Sequence, residues 1–169
     1  MPRRPAIAAV LALVSGALIP LSLAPFDLWP LALVAAGLLL EALRDQPARR
    51  AVLLGWLSGV GRYGVGVSWV WVSIHEHGNA SPLLATVLVI LFVAGLALLP
   101  ALMALGFAAL RPRGTLVAAA AFAGCWVLLE WTLTWLLTGF PWLLLGYSQM
   151  ATPLAGWAPV GGVLGVSLT

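Results

Sequence analysis

Thr115-Leu-Val-Ala-Ala-Ala-Ala-Phe-Ala-Gly-Cys-Trp-Val-Leu-Leu-Glu-Trp-Thr-Leu-Thr-Trp-Leu-Leu137, continued by Thr138-Gly-Phe-Pro-Trp-Leu-Leu-Leu-Gly-Tyr-Ser-Gln149, decides how this chain folds. The first part is apolar but for one acid, Glu130. It is long enough to cross a hydrocarbon core, which takes about 20 apolar residues in a helix. Gly139 and Pro141 end the run. Trp142 and Tyr147 are amphipathic rings that favour the membrane–water boundary. A plain connection between two spanning helices needs only polar turn residues. This one is aromatic and nearly uncharged, a composition suited to a segment lying in the interface and touching lipid.

The rest of the composition agrees. Of the 169 residues, 63% are hydrophobic and 8% charged, with eight Arg, no Lys and five acids. A water-soluble domain does not keep so uncharged a surface. The pI of about 10.0 is not a nucleic-acid signature, because the arginines sit in short loops and not on one basic face. Cys125 is the only cysteine, so no disulfide framework exists and the compartment is not legible from it. Arg3 and Arg4 ahead of an apolar stretch resemble a signal peptide. Pro25 and the further apolar runs immediately after it predict an uncleaved first span.

The sequence predicts an all-α, polytopic transmembrane bundle over residues 1–169, with five spans and the start of a sixth. The expected spans are 6–24, 31–43, 51–74, 83–110, 115–137 and 160–169. The second is short. It is either tilted into the bundle or half of a hairpin that does not fully cross. Arg3, Arg4, Arg44, Arg49, Arg50, Arg111 and Arg113 all fall on one side of this scheme, and the opposite loops hold Asp27, His75, Glu76 and His77 but no Arg. The asymmetry predicts a cytoplasmic amino terminus, with loops 75–82 and 138–158 facing outward. Asn79-Ala-Ser81 is formally a glycosylation sequon, a triplet frequent by chance. Trp29, Trp69, Trp71, Trp131, Trp135, Trp142 and Trp157 map to the outer boundary, against Trp56 near the inner one and Trp126 deeper. Such an excess suggests an outward aromatic surface. Simple anchoring is the alternative.

Two charges fall inside spans. Glu130 at its depth costs at least a few kcal/mol, which makes it a functional hypothesis, with a structural hydrogen-bonded acid as the alternative. Arg62 lies mid-span. At 1.5 Å per residue the two depths differ by about 6 Å, a gap an extended Arg side chain bridges. An intramembrane Arg62–Glu130 pair is the expectation, against an Arg62 that snorkels or faces a wet cavity alone. Gly55-Trp-Leu-Ser-Gly59 is a small-xxx-small pattern for close helix contact. His75 and His77 without a third ligand argue for a solvated loop, and no metal site is expected. No nucleophile, base and orienter are recognisable together, and there is no Walker loop, HExxH or dinucleotide fingerprint. No cofactor is expected.

Pro25-Phe-Asp-Leu-Trp-Pro30, Gly66-Val-Ser-Trp-Val-Trp-Val-Ser-Ile74, Glu130, the 138–149 stretch and Ala158-Pro-Val-Gly-Gly-Val-Leu-Gly165, in this order and spacing, resemble the membrane part of bacterial apolipoprotein N-acyltransferases. The resemblance covers nearly the whole chain. It implies an inner-membrane enzyme, active face outward, that moves a fatty acyl chain from a phospholipid donor to the amino-terminal amine of a diacylated lipoprotein. Its partners would be those two substrates and membrane lipid, with no nucleic acid. In the family the work passes through a thioester on a cysteine assisted by a glutamate and a lysine, in a nitrilase-like domain that follows the spans. None of those catalytic positions is in these residues, and Cys125 is not the family nucleophile, so these residues alone are expected to be inactive. Trp142 matches a tryptophan near the family's lipid entrance. With it the expected lipid-entrance residues are Gly139, Phe140, Pro141, Tyr147 and Trp69. Leu133 stands where the family commonly has an Arg, His77-Gly78-Asn79 where it often has Phe-Gly-Gly, and Arg62 is not typical of it. Two other classes fit the Gly-rich spans and buried charges: half of a transporter or channel, or a non-catalytic assembly subunit.

Overall fold

Residues 5–169 are described by the computed structural model, and among them there is no strand. Arg3 and Arg4 lie outside the described residues. The helices are α1 (Pro5–Leu21), α2 (Pro30–Leu43), α3 (Ala48–Gly66), α4 (Trp69–Val72), α5 (Pro82–Leu96), α6 (Leu98–Leu110), α7 (Thr115–Trp135) and α8 (Ala158–Leu168). Proline at the first helical position starts α2 and α5, where its fixed φ suits the helix and its missing N–H costs nothing. Ser81 adds a side-chain cap to α5 by accepting from the Leu84 N–H.

α3 is the hub, packed against α1 on one side and α6 on the other. Glycine makes this possible. A Cβ on Gly61 would overlap the Leu13 carbonyl, and one on Gly16 the Ser58 carbonyl, so the α1 and α3 backbones touch. Ser15 and Ser58 share a 3.2 Å hydrogen bond across the seam. Gly55 and Gly59 face Pro100, Ala101, Ala104 and Ala97, which is the close contact the small-xxx-small spacing predicts.

One expected span bends and another is broken. α5 and α6 run as one 29-residue apolar stretch, Pro82–Leu110, interrupted at Ala97. Pro100 explains the interruption, since it has no N–H for the carbonyl of Leu96 and its ring crowds the preceding turn. The expected 51–74 span starts earlier, at Ala48, and stops at Gly66. Val67 leaves the helical region, and the chain resumes as α4 and a π-turn over Ser73–His77. Gly64 and Gly66 weaken the helix there, and Leu143 and Pro20 press on Gly66 where a side chain would stand. Trp56 makes a contact between helices. Its indole donates to the Ala94 carbonyl at 3.2 Å and ties α3 to the α5–α6 bend.

Two stretches, Pro82–Leu110 and Thr115–Thr138, are long and apolar enough to cross a membrane. α1 and α2 are shorter apolar helices. At 1.5 Å per residue α2 is about 21 Å long, less than a bilayer core of roughly 30 Å. α3 carries Arg49, Arg50 and Arg62 among its 19 residues, which lowers its hydropathy although it sits at the centre.

Candidate functional site

The last turn of α7 positions the site. Leu137, Thr138 and Gly139 all have positive φ, reversing the chain, and the Phe140 N–H donates back to the Leu133 carbonyl at 2.7 Å. Gly139 is required here twice over: its φ is +84°, and a Cβ would overlap the Thr134 carbonyl. The chain then crosses the end of the bundle as Phe140–Leu144 before the 3-10 turn Leu145–Gln149.

Phe140 and Trp142 stack, with ring centroids 5.4 Å apart and an interplanar angle of 21°. Trp69 of α4 lies 5.8 Å from Trp142, and Phe92 of α5 meets Phe140 edge-on at 5.3 Å. Offset and edge-to-face geometries of this kind are the favoured aromatic pairings. Trp69 and Trp142 are about half exposed. The cluster is therefore an aromatic surface fed by three segments far apart in sequence.

Of the expected entrance residues, the structure brings together Trp69, Phe140 and Trp142, with Gly139 and Pro141 framing the turn. Tyr147 is exposed on the next turn, and no ring contact joins it to the cluster among the described residues. Phe92 lacked any motif to single it out.

Beneath the cluster lies a buried polar knot. Arg62 is 1% exposed and Glu130 0%. Arg62 Nη2 sits 3.3 Å from Glu130 Oε1, so the expected pair is present. The same Glu130 oxygen accepts from the Trp126 indole at 2.9 Å and from the Leu145 backbone N–H at 2.7 Å. Arg62 Nη2 also donates to the Leu143 carbonyl at 2.8 Å. The guanidinium carbon lies 5.2 Å from the Trp126 ring and 5.6 Å from the Tyr63 ring, cation–π distances that supplement the pair in a dry site. Glu130 Oε2, Arg62 Nε and Nη1 and the Tyr63 hydroxyl are buried without a hydrogen-bond partner among the described residues. Trp126 was legible in principle, since it stands one helical turn before Glu130 on the same face. The Leu143 and Leu145 backbone groups carry no side-chain signal at all. Leu133, where the resemblance leads one to expect an Arg, is buried in the apolar core.

The two histidines play another part. His75 Nδ1 is 2.8 Å from the Ala80 carbonyl and its ring stands 4.8 Å from Trp71, closing the 75–80 loop. No group of three or more His, Cys, Asp or Glu side chains suited to a metal occurs among the described residues. An opening of about 1070 Å³ lies at the far end of the bundle, where Arg44, Asp45, Phe107, Arg111, Arg113 and Ala118 line it. The aromatic cluster and the arginine-lined cleft thus mark opposite ends.

Comparison with known proteins bears on the same residues. The family model described as "Apolipoprotein N-acyltransferase N-terminal domain" matches residues 15–169. The apolipoprotein N-acyltransferase of Pseudomonas paraeruginosa is 52% identical over 156 residues, covering 91% of this chain and 30% of that protein. That of Pseudomonas syringae pv. tomato is 50% identical over 156 residues, covering 91% of this chain and 31% of that protein. That of Coxiella burnetii is 47% identical over 162 residues, covering 94% of this chain and 33% of that protein. The chain spans about a third of the length of the curated relatives it matches. With the family domain matched over residues 15–169 and about half of the aligned residues identical to those of the relatives, this chain belongs to the apolipoprotein N-acyltransferase family.

Proposed function

We propose that these residues form the membrane scaffold of an enzyme that transfers a fatty acyl chain from a phospholipid to the amino-terminal amine of a diacylated lipoprotein, and that the Trp69–Phe140–Trp142 surface is where a lipid chain meets it. The single observation that carries the reading is the half-exposed stacked Trp142. It is held out by a turn that starts with three positive-φ residues, and it sits beside a second half-exposed indole, Trp69. Rigid amphipathic rings at an interface make an apolar platform with polar edges, which suits an acyl chain below a polar headgroup or acceptor. Gly139, Pro141 and Tyr147 flank that surface.

The scaffold reading takes Pro82–Leu110 and Thr115–Thr138 as spans, with α1, α2, α3 and α8 completing a multi-pass bundle. Its amino terminus is cytoplasmic and its aromatic end periplasmic, in a bacterial inner membrane. Arg44, Arg111 and Arg113 lining one cleft support that orientation through the positive-inside rule. A cysteine placed at Asn79, on the aromatic end, is expected to react with impermeant reagents from outside. Reaction only from the cytoplasmic side would reverse the scheme.

Acyl transfer itself needs more than these residues offer. The one thiol, Cys125, faces an apolar groove with Leu99, Leu102, Met103 and Leu128, and there is no Lys. We expect no thioester to form from phospholipid on the 169 residues alone. A thioester lost on Cys125→Ser would overturn this. In the full-length protein, Trp142→Ala is expected to lower turnover with membrane insertion intact, and unchanged turnover would reduce Trp142 to an interfacial anchor.

A further inference from the structure

We infer that Arg62 is a positioning residue: with Glu130 it latches the 140–146 backbone and thereby sets where Trp142 stands. The aromatic segment lacks the regular hydrogen bonds that would hold it. Its turn closes through Phe140 onto Leu133, and the Trp142 N–H reaches only back to the Phe140 carbonyl at 2.8 Å. Leu143 then adopts φ +65°, a left-handed conformation in which its Cβ crowds the following carbonyl oxygen. Something must hold it, and Leu143 and Leu145 show what does. The Leu143 carbonyl accepts from Arg62 Nη2 at 2.8 Å, and the Leu145 N–H donates to Glu130 Oε1 at 2.7 Å.

The two anchors need opposite chemistry. A carbonyl requires a donor and an N–H an acceptor, and both must stand in a dry core where neither charge is tolerated alone. A guanidinium and a carboxylate 3.3 Å apart satisfy both demands and neutralise each other. The Leu143 side chain, seated against Gly66 and Pro20, completes the seat on the α3 side. Among the described residues no cation–π contact joins Arg62 to a ring of the exposed cluster, yet it holds the Leu143–Leu144 peptide just beyond Trp142. Its functional meaning rests on the lipid-facing reading of Trp142 given above.

The test uses the chain in lipid nanodiscs, biosynthetically labelled with fluorotryptophan. The Trp142 fluorine resonance is assigned by its disappearance in Trp142→Phe. Arg62→Leu/Glu130→Leu removes both charges together, so no uncompensated ion is left in the core. In this double variant the Trp142 resonance is expected to leave its native position and take that of a mobile indole. The Trp56 resonance, on the α3–α5 contact, stays in place. A merely structural pair would lower the melting temperature and leave Trp142 unmoved, and that result overturns the inference. A second measurement needs no variant: the Leu145 amide of the unsubstituted chain is expected to exchange slowly with deuterium. Fast exchange there overturns the inference whatever the variants do. Quenching of Trp142 by brominated lipid tests the lipid-facing reading separately, and its absence would sink that reading while leaving the latch intact.

Discussion

α3 and the α5–α6 stretch are opposites. α3 has the lower hydropathy, with three arginines and five glycines, yet it sits at the centre and buries Arg62 and Tyr63 almost completely. Pro82–Leu110 is the more apolar of the two long stretches, yet Leu83, Ile90, Leu91, Leu98 and Leu102 stand more than half exposed along it. In water the arrangement would be inverted, since a soluble monomer rarely leaves so continuous an apolar face uncovered. In lipid it is the expected one. Hydrocarbon solvates leucine as well as a protein core does, so helices associate through small residues and polar contacts instead. The least hydrophobic helix belongs inside because it carries the groups that lipid cannot satisfy.

The strongest way to break this contrast is to strand one charge of the central pair. Arg62→Leu or Glu130→Leu alone is expected to cost about 3–5 kcal/mol, because the remaining ion has no partner in a dry site. Thermal unfolding in detergent reads this, and a cycle of Arg62→Leu with Glu130→Gln is expected to be strongly non-additive. Strictly additive effects would mean that the two groups do not interact.

Next in size is the glycine seam. Gly61→Leu places a side chain on the Leu13 carbonyl and is expected to destabilise by about 3 kcal/mol, the upper end for overpacking. Gly64→Leu serves as the control, since nothing lies within 4 Å of its Cβ position. If Gly61→Leu melts with Gly64→Leu, the α1–α3 contact is looser than described.

Trp142→Ala sharpens the comparison at the aromatic end. Turnover in the full-length protein is expected to fall roughly tenfold, equivalent to about 1.4 kcal/mol of lost transition-state stabilisation. The melting temperature should move little, because the ring is half exposed.

The smallest effect is expected on the lipid face. Leu91→Ala is predicted to stay within about 0.5 kcal/mol, as for surface positions generally. A loss of several kcal/mol there would show that another protein segment, and not lipid, covers that face.

Much of the helix plan was legible because its signals are local. Pro30 and Pro82 stand at helix starts, Pro112 and Gly114 separate α6 from α7, and Gly139 with Pro141 shapes the turn that follows α7, each by backbone rules that need no neighbour. The aromatic character of 138–149 was equally plain. The break at Val67 was not, because Gly64 and Gly66 only weaken a helix, and the wedge that exploits them, Leu143, arrives from 77 residues away in sequence. Phe92 joined the aromatic cluster for the same reason: nothing in its own neighbourhood marks it.

By itself the sequence determined the helical class, the two long apolar stretches, the end-to-end sorting of arginines and aromatics, and the cost of placing Arg62 and Glu130 among apolar residues. These depend on composition and on spacing along one chain. Only the tertiary structure decided that the two charges meet, that Trp126 joins them, and that their remaining partners are the Leu143 carbonyl and the Leu145 N–H. Depth along a helix can be counted at 1.5 Å per residue, but rotation about its axis cannot. In these nearly uniform apolar helices no amphipathic stripe announces which side faces in. The rotation is set by where glycines allow backbones to touch and by which backbone groups the folded loop presents, and both exist only once the helices have packed.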